Sequence, residues 1–424
     1  MSHIQKAIII GAGPAGLAAA LRLKMFNGID STVYEVRSEP TTLGGAVYIP
    51  SNGLSLLNRL NVFDELASRA FASPLLKIHS MQGSILGEVD MVSWSREKLG
   101  FGLMRVLRSD LVDILLGATE KNNIPVHFGK SLMKITEDEN HVTIEFSDGT
   151  TETADVLLGC DGIHSTVRKL HVSPEVEPEY TGLSTMFSIL PTSHLSEQHR
   201  SLDSALHVTL TPEGMFAVTP CTASGDKLYW FYSREVAIPG GEDNREGWEA
   251  FSKKEVEGFK DNLQRVIRDA SGEWAGRMRE VIYKTDTIKF YPVYTMPPAA
   301  IWSTKRCLLL GDAAHAMPPH AGQGTSMALE DVFMLSRLLE NSSNPLSEVF
   351  RMYEAIRRPR VEAIARISAS NGDMRRTLSP FGHKMKEVAV GVGFWLYNAT
   401  GLQKWAVGMN QKDYAYDIMA ESIE

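Results

Sequence analysis

Six residues near the start of the chain, Gly11-Ala12-Gly13-Pro14-Ala15-Gly16, have the types and spacing to hold a pyrophosphate. Gly11 permits a tight turn, Gly13 lets a phosphate come close to the backbone, and Gly16 lets a helix pack on a strand. The helix that opens here offers free N–H groups and the positive end of its dipole. Glu35, about twenty residues on, is placed to accept ribose hydroxyls. A carboxylate there repels a 2′-phosphate, so the pattern suits FAD or NAD over NADP.

Two further strings end in acids. Gly159-Cys160-Asp161-Gly162-Ile163-His164-Ser165-Thr166-Val167-Arg168 follows an apolar run, where ligands sit at the carboxyl edge of a sheet. Asp148-Gly149, by contrast, is a hairpin turn signal. The third string runs from Leu308 through Gly311-Asp312, His315, Pro318-Pro319-His320 and Gly322-Gln323-Gly324-Thr325-Ser326 to Glu330-Asp331. Asp312 ends a buried strand and can bind sugar hydroxyls. The proline pair makes a rigid turn, and the glycines let backbone approach a flat ring. The helix starting near Thr325 points its positive end at whatever lies there, which favours the negative N1–C2=O edge of a reduced flavin.

The elements that position these strings follow from apolar patterning. Residues 6–10 form a short apolar run, as in a strand buried on both faces. Leu17 to Met25 reads as a helix and Thr32 to Val36 as a strand, giving a βαβ unit. Gly44 to Leu66 reads as a glycine-rich bend and a helix, and Ser109 to Lys121 as an amphipathic helix. Strands are expected at His141–Phe146, Thr151–Gly159 and Arg306–Leu310, and helices at Thr325–Leu339 and Tyr353–Ile367. Residues 181–295 change character, with β-like runs at Ala205–Leu210, Met215–Thr219 and Lys227–Tyr232 and a polar helical stretch near 244–280.

Taken in this order, the three strings resemble the class A flavoprotein monooxygenases, the para-hydroxybenzoate hydroxylase type. The resemblance covers roughly residues 1–180 and 285–370. It implies an α/β fold in which a Rossmann-like FAD-binding domain of the GR2 type (1–73, 102–180 and 285–370) carries an inserted mixed or antiparallel substrate sheet (74–101 and 181–284). A C-terminal helical segment (371–424) completes the chain. It gives Glu35 the adenosine ribose, Gly45 and Ala46 the segment that approaches the flavin, and Arg108 a hold on FAD. Asp161 faces the pyrophosphate side and is linked to NAD(P)H handling; Asp312 takes the ribityl and pyrophosphate region. Gly324, Thr325 and Ser326 supply the helix start at the flavin pyrimidine edge, although many relatives have asparagine where Ser326 stands.

The activity so implied uses NADPH or NADH as a transient reductant and O₂ as co-substrate. Oxygen adds at the flavin C4a carbon, and one atom is passed to an aromatic or polycyclic small molecule by hydroxylation or epoxidation. No second glycine fingerprint is present: Gly391-Val392-Gly393 lacks a preceding strand and a third glycine. A phenolic substrate wants a base or hydrogen-bond partner, and His320, Tyr48, Tyr229 and Tyr232 are candidates, with none assigned as catalytic. Met215, Phe216, Trp230 and Phe231 either line an apolar pocket or pack as core. His315 braces the loop beside Asp312. Competing readings are a reductase or halogenase of the same fold, the latter lacking its Trp-x-Trp-x-Ile-Pro pattern here, and a redox-sensing flavoprotein without turnover.

Composition narrows the partners. The 424 residues are 43% hydrophobic with a formal net charge of −8, which argues against nucleic acid and anionic membranes as partners. The three cysteines, Cys160, Cys221 and Cys307, have no metal-ligand spacing, and no metal is expected. The N-terminus lacks signal-peptide features, and no run reaches the ~20 apolar residues of a membrane span. A cytoplasmic monomer or homodimer is expected. The longest apolar run, Val388 to Tyr397, is expected to form a buried helix. Phe394, Trp395, Tyr397 and Trp405 would hold that segment on the body, with a dimer or lipid contact left open.

Overall fold

The computed structural model describes residues 4–40, 44–241, 243, 245–340, 344–402 and 411–423. Trp405 lies outside them. The expected α/β architecture is present: a parallel sheet, a large mixed sheet and C-terminal helices.

The parallel sheet has the strand order Cys307–Leu309, Val156–Gly159, Lys6–Ile10, Asp30–Tyr34, Val126–His127. Ile8 and Ile9 at its centre are fully buried, which is why residues 6–10 read as a continuous apolar run. Helix Pro14–Arg22 begins on Pro14, whose missing N–H falls where none is needed. It packs between helices Arg108–Lys121 and Gly324–Glu340. Its apolar continuation, read as helix to Met25, widens into a π-turn over Leu23–Asn27 and stops at left-handed Gly28.

Thr151–Gly159, expected as one strand, is two strands in two sheets. Thr151–Ala154 closes an antiparallel hairpin with Val142–Phe146, while Val156–Gly159 joins the parallel sheet. Asp155 makes the break: its carboxylate accepts from the amides of Gln5 (2.8 Å) and Lys6 (2.9 Å) at the start of the central strand. The bend and helix expected over 44–66 contain a strand, Ala46–Ile49, and two helices, Ser51–Arg59 and Phe63–Arg69. Ala46–Ile49 pairs antiparallel with Met104–Leu107.

The seven-stranded sheet runs Lys289–Thr295, Glu179–Pro191, Lys227–Glu235, Gly214–Pro220, Ala205–Thr211, Leu75–His79, Ile85–Asp90. Only the Ala205–Thr211 and Leu75–His79 pair is parallel. One face carries Phe216, Trp230 and Tyr232 into a core roofed by helices Arg245–Val266 and Gly272–Lys284. The period of two puts Met215, Ala217, Tyr229 and Phe231 on the other face.

Helix Leu346–Asp373 runs longer than the expected Tyr353–Ile367. Helix Pro380–Ala399 corrects the expectation of a buried C-terminal helix. Phe394 packs over Gly87 of the edge strand Ile85–Asp90, but Phe381 is 76% and Trp395 67% exposed. The helix has only one sheet edge to cover, so its apolar residues are divided between that edge and solvent. Among the described residues no helix is long and apolar enough to cross a membrane.

Candidate functional site

The three strings converge. Gly11, at φ +107°, lies so close to the Cys160 carbonyl that a Cβ would overlap it, and a Cβ on Gly311 would stand 3.6 Å from Ala15. Gly16 leaves no room beside the Gly11 carbonyl. Gly13 differs from both: a Cβ there would meet nothing within 4 Å. Two glycines are thus required by close packing of the protein on itself, and the third borders open space at a helix N-terminus. That space is where an anionic group fits.

Glu35 follows the second strand. One carboxylate oxygen accepts from the Ala12 amide (2.9 Å) and the other from Arg37 N (3.1 Å), so Glu35 fastens the glycine turn and remains partly exposed beside it. Asp161 is turned inward. It accepts from Ser165 Oγ (2.5 Å) and from the amides of Thr166 (2.6 Å) and Val167 (3.1 Å). Burial pushes its carboxyl up despite these bonds. The structure therefore places this side chain as the cap of its own turn, with Arg168 beneath it bonded to the carbonyls of Ala313 (3.0 Å) and Ile163 (2.7 Å).

Asp312 and Arg108 are exposed neighbours on the cleft. Although Asp312 is open to solvent on one side, partial loss of hydration against the surrounding protein pushes its carboxyl up, and His315 and Arg108 oppose that shift. The Arg108 chain runs along Gly44, where a Cβ would stand 2.9 Å from its Cδ. Tyr291 of the large sheet is close enough to feel the Arg108 charge, although burial dominates and pushes its hydroxyl up to about 12. At the start of helix Gly324–Glu340, Met327 N is bonded to Gln323 O (2.8 Å). The three amides before it, those of Gly324, Thr325 and Ser326, have no intrahelical acceptor. Gly324 borders open space, whereas the Ser326 side chain is buried against Gly53.

Behind this edge lies a buried ionic network. Asp331 accepts from Gly311 N (2.9 Å), lies 2.6 Å from His315 Nε2 and accepts from Arg357 Nε (2.9 Å). Arg357 also binds Glu330 (2.8 Å), which accepts from Asn52 (2.8 Å). Burial alone would raise the Asp331 carboxyl, but His315 and Arg357 outweigh it and hold it at about 2. His315 is thus tied to Asp331 and braces the Gly311 turn.

The large sheet reaches the cleft through Tyr229. Its ring lies where a Cβ on Gly45 would stand, 2.6 Å away. Tyr48 packs likewise on Gly322 (2.7 Å). Between the two rings sits the Arg105 guanidinium, 5.3 Å from the Tyr48 centroid and 5.6 Å from that of Tyr229. His320 packs near Gly372, its Nε2 without a partner, and burial followed by the nearby Arg375 charge lowers it to about 2. Met215 shares the Tyr229 face; Phe216, Trp230 and Tyr232 point to the opposite core and are not brought to the cleft. Sequence reasoning passed over Arg105. The available signal was a lone cation in the strand Met104-Arg105-Val106-Leu107. Also unforeseen is the grouping of Glu137, His171 and Cys307, where Glu137 is already bonded to Arg306 N (2.8 Å) and Thr304 Oγ1 (3.0 Å).

Comparison with known proteins agrees with this geometry. A family model described as an FAD binding domain matches residues 5–368. The chain is 28% identical over 394 residues to a 6-hydroxynicotinate 3-monooxygenase of Pseudomonas fluorescens, covering 92% of this chain and 97% of that one. It is 30% identical over 379 residues to the putative FAD-dependent monooxygenase YetM of Bacillus subtilis, covering 87% and 92%. Among solved structures, Klebsiella pneumoniae HpxO complexed with FAD and uric acid shares the fold with a TM-score of 0.76 at 22% identity, over 91% of this chain and 92% of that one.

Proposed function

Because the chain belongs to the FAD-binding family of class A flavin monooxygenases, we propose that it hydroxylates or epoxidises a small aromatic or polycyclic molecule with NAD(P)H and O₂. The observation that carries this reading is the contact of Tyr229 with Gly45, which sets one face of the large sheet directly against the strand-and-turn edge of the cleft.

The residues fit the cofactor. Gly11, Pro14, Ala15 and Gly16 shape the turn, Gly13 leaves room for the pyrophosphate, and Glu35 takes the adenosine ribose. Arg108 and Asp312 flank the open cleft, and the amides of Gly324, Thr325 and Ser326 supply N–H donors for the anionic ring edge. Gly45 and Ala46 border the ring, and Asp161 acts by holding the second turn in place. Bound FAD supplies the redox chemistry, accepting reducing equivalents from NAD(P)H and activating O₂.

The chain's own task is to position the substrate and exclude water. Phe231, Met215 and Tyr229 offer an apolar face for an aromatic ring, with Tyr48 and His320 at its margin. Tyr48 and Tyr229 have hydroxyls pushed above their ordinary range, chiefly by burial. They act as hydrogen-bond groups in the neutral state, not as phenolates. The relatives' named substrates support a small aromatic or heteroaromatic compound. The segments 74–101 and 181–284 form the substrate body, and the rest up to 370 the cofactor body.

The test is a visible spectrum of purified protein followed by NADPH with a panel of phenols and polycyclic aromatics. Flavin bands, substrate-accelerated NADPH and O₂ consumption and an oxygenated product are expected. Bound flavin without aerobic turnover on any aromatic argues against the reading.

A further inference from the structure

Among the described residues six arginines are less than a tenth exposed: Arg22, Arg105, Arg168, Arg306, Arg357 and Arg375. Five have oxygen partners. Arg357 binds Glu330 and Asp331, and Arg22 binds Ser336 and Glu340. Arg168, Arg306 and Arg375 donate to backbone carbonyls. Arg105 is 5% exposed; its side chain makes no hydrogen bond and no ion pair among the described residues, and its Nε is enclosed without a partner. Its guanidinium lies instead over two tyrosine rings.

A buried guanidinium carries five N–H donors, and leaving them unmet is costly. Two ring faces satisfy part of the charge and none of the directed N–H capacity. Tyr48 and Tyr229 are the two rings that meet Gly322 and Gly45, so Arg105 stands where the motif loop, the small sheet and the large sheet come together. Burial lowers the Arg105 pKa from its ordinary value, although the group stays a cation at neutral pH.

We propose that Arg105 anchors an anionic oxygen pair on the substrate, so that the preferred substrate is an aromatic acid, its carboxylate held by the guanidinium fork and its ring laid on the Tyr229 face. The planar fork matches a carboxylate through two parallel N–H···O bonds. The proposal rests on the monooxygenase reading for the ring's fate, but not for the binding itself.

The experiment is calorimetric titration of the FAD-loaded protein with matched pairs: salicylate and salicylamide, nicotinate and nicotinamide, and a naphthoate with its amide. Wild type is expected to bind the acid of at least one pair ten-fold or more tighter than the amide. Arg105→Gln should weaken the acid on the order of 100-fold and leave the amide nearly unchanged. Arg105→Lys should recover part of the loss. The flavin spectrum and Tm of each variant report whether the fold survives. Equal binding of acids and amides by wild type, failure to bind either, or an acid preference that persists in Arg105→Gln overturns the proposal. NADPH oxidation measured in parallel separates the two readings: acid binding lost in Arg105→Gln without turnover in wild type upholds the anchor and counts against the monooxygenase.

Discussion

Arg357 and Asp331, neither with any exposed surface, are joined by an Nε–H···Oδ1 bond of 2.9 Å, and the other Asp331 oxygen holds the Gly311 amide. The Gly311 turn is therefore fastened from behind by a charge pair shut off from solvent. Removing one member leaves an unpaired buried charge, which costs about 3–5 kcal/mol. Arg357→Met is expected to lose stability on that scale in denaturant unfolding and to shed FAD on dialysis. A variant that keeps its midpoint and its flavin would show the network to be incidental.

Gly11 and Gly13 should fail in different ways. A side chain at Gly11 collides with the Cys160 carbonyl and sits at a strained φ, so Gly11→Val is expected to yield little folded protein. A side chain at Gly13 points into free space at an ordinary φ. Gly13→Val should fold with an apo-protein Tm near wild type and bind little FAD. Circular dichroism and flavin content, read together, distinguish the two; a Gly13→Val protein with full flavin would remove the phosphate from that space.

Arg108 and Asp312 are neighbours of opposite charge on the cleft. Charge-assisted hydrogen bonds contribute about 1.5–3 kcal/mol each. Arg108→Met is expected to weaken FAD binding roughly 10- to 100-fold, measured by fluorescence recovery on dilution. An unchanged affinity would return Arg108 to the role of a surface cation.

Buried histidines make the fold sensitive to acid. His79, stacked on Trp274 and 3.0 Å from His207 Nδ1, is held at about 4, first by burial and then by the charge of His207. Burial lowers His207 as well. His79 stays neutral in the fold down to about 4, while the unfolded chain takes up protons below about 6.5. Stability is therefore complete above that pH and falls as pH drops towards 4. His79 alone accounts for roughly 2–3 kcal/mol by pH 4.5. Tm is expected to fall steadily from pH 7 to 4.5, and less steeply in His79→Gln; parallel profiles would reject this origin.

Gly11–Gly16, Glu35 and Gly311–Asp331 stand out in the sequence because a phosphate- or ring-binding motif fixes residue types at fixed spacing, and the fold brings them together. Asp161 was legible as a motif but not as a cap, since its partners Ser165 to Val167 are seen only once the turn is built. The break at Asp155 was hidden because an acid within an apolar run carries no mark of the amides it will bind. Met215 and Phe216 are adjacent and both apolar, and only the register with Ser233 and Tyr232 tells which face of the sheet each takes. Arg105 was missed for the opposite reason: what sets it apart is the absence of a partner, which a sequence cannot display.

The parallel sheet draws its central strand from residues 6–10 and an edge strand from 307–309. During synthesis at about 5–20 residues per second, Gly13 emerges roughly 15–60 s before Asp312. Through that interval helix Pro14–Arg22 has no Gly324–Glu340 to cover its apolar side. Half of the motif cluster is thus made early and must wait, its hydrophobic flank bare, for the far end of the chain. The packing around that helix is in consequence completed only when the far end of the chain arrives.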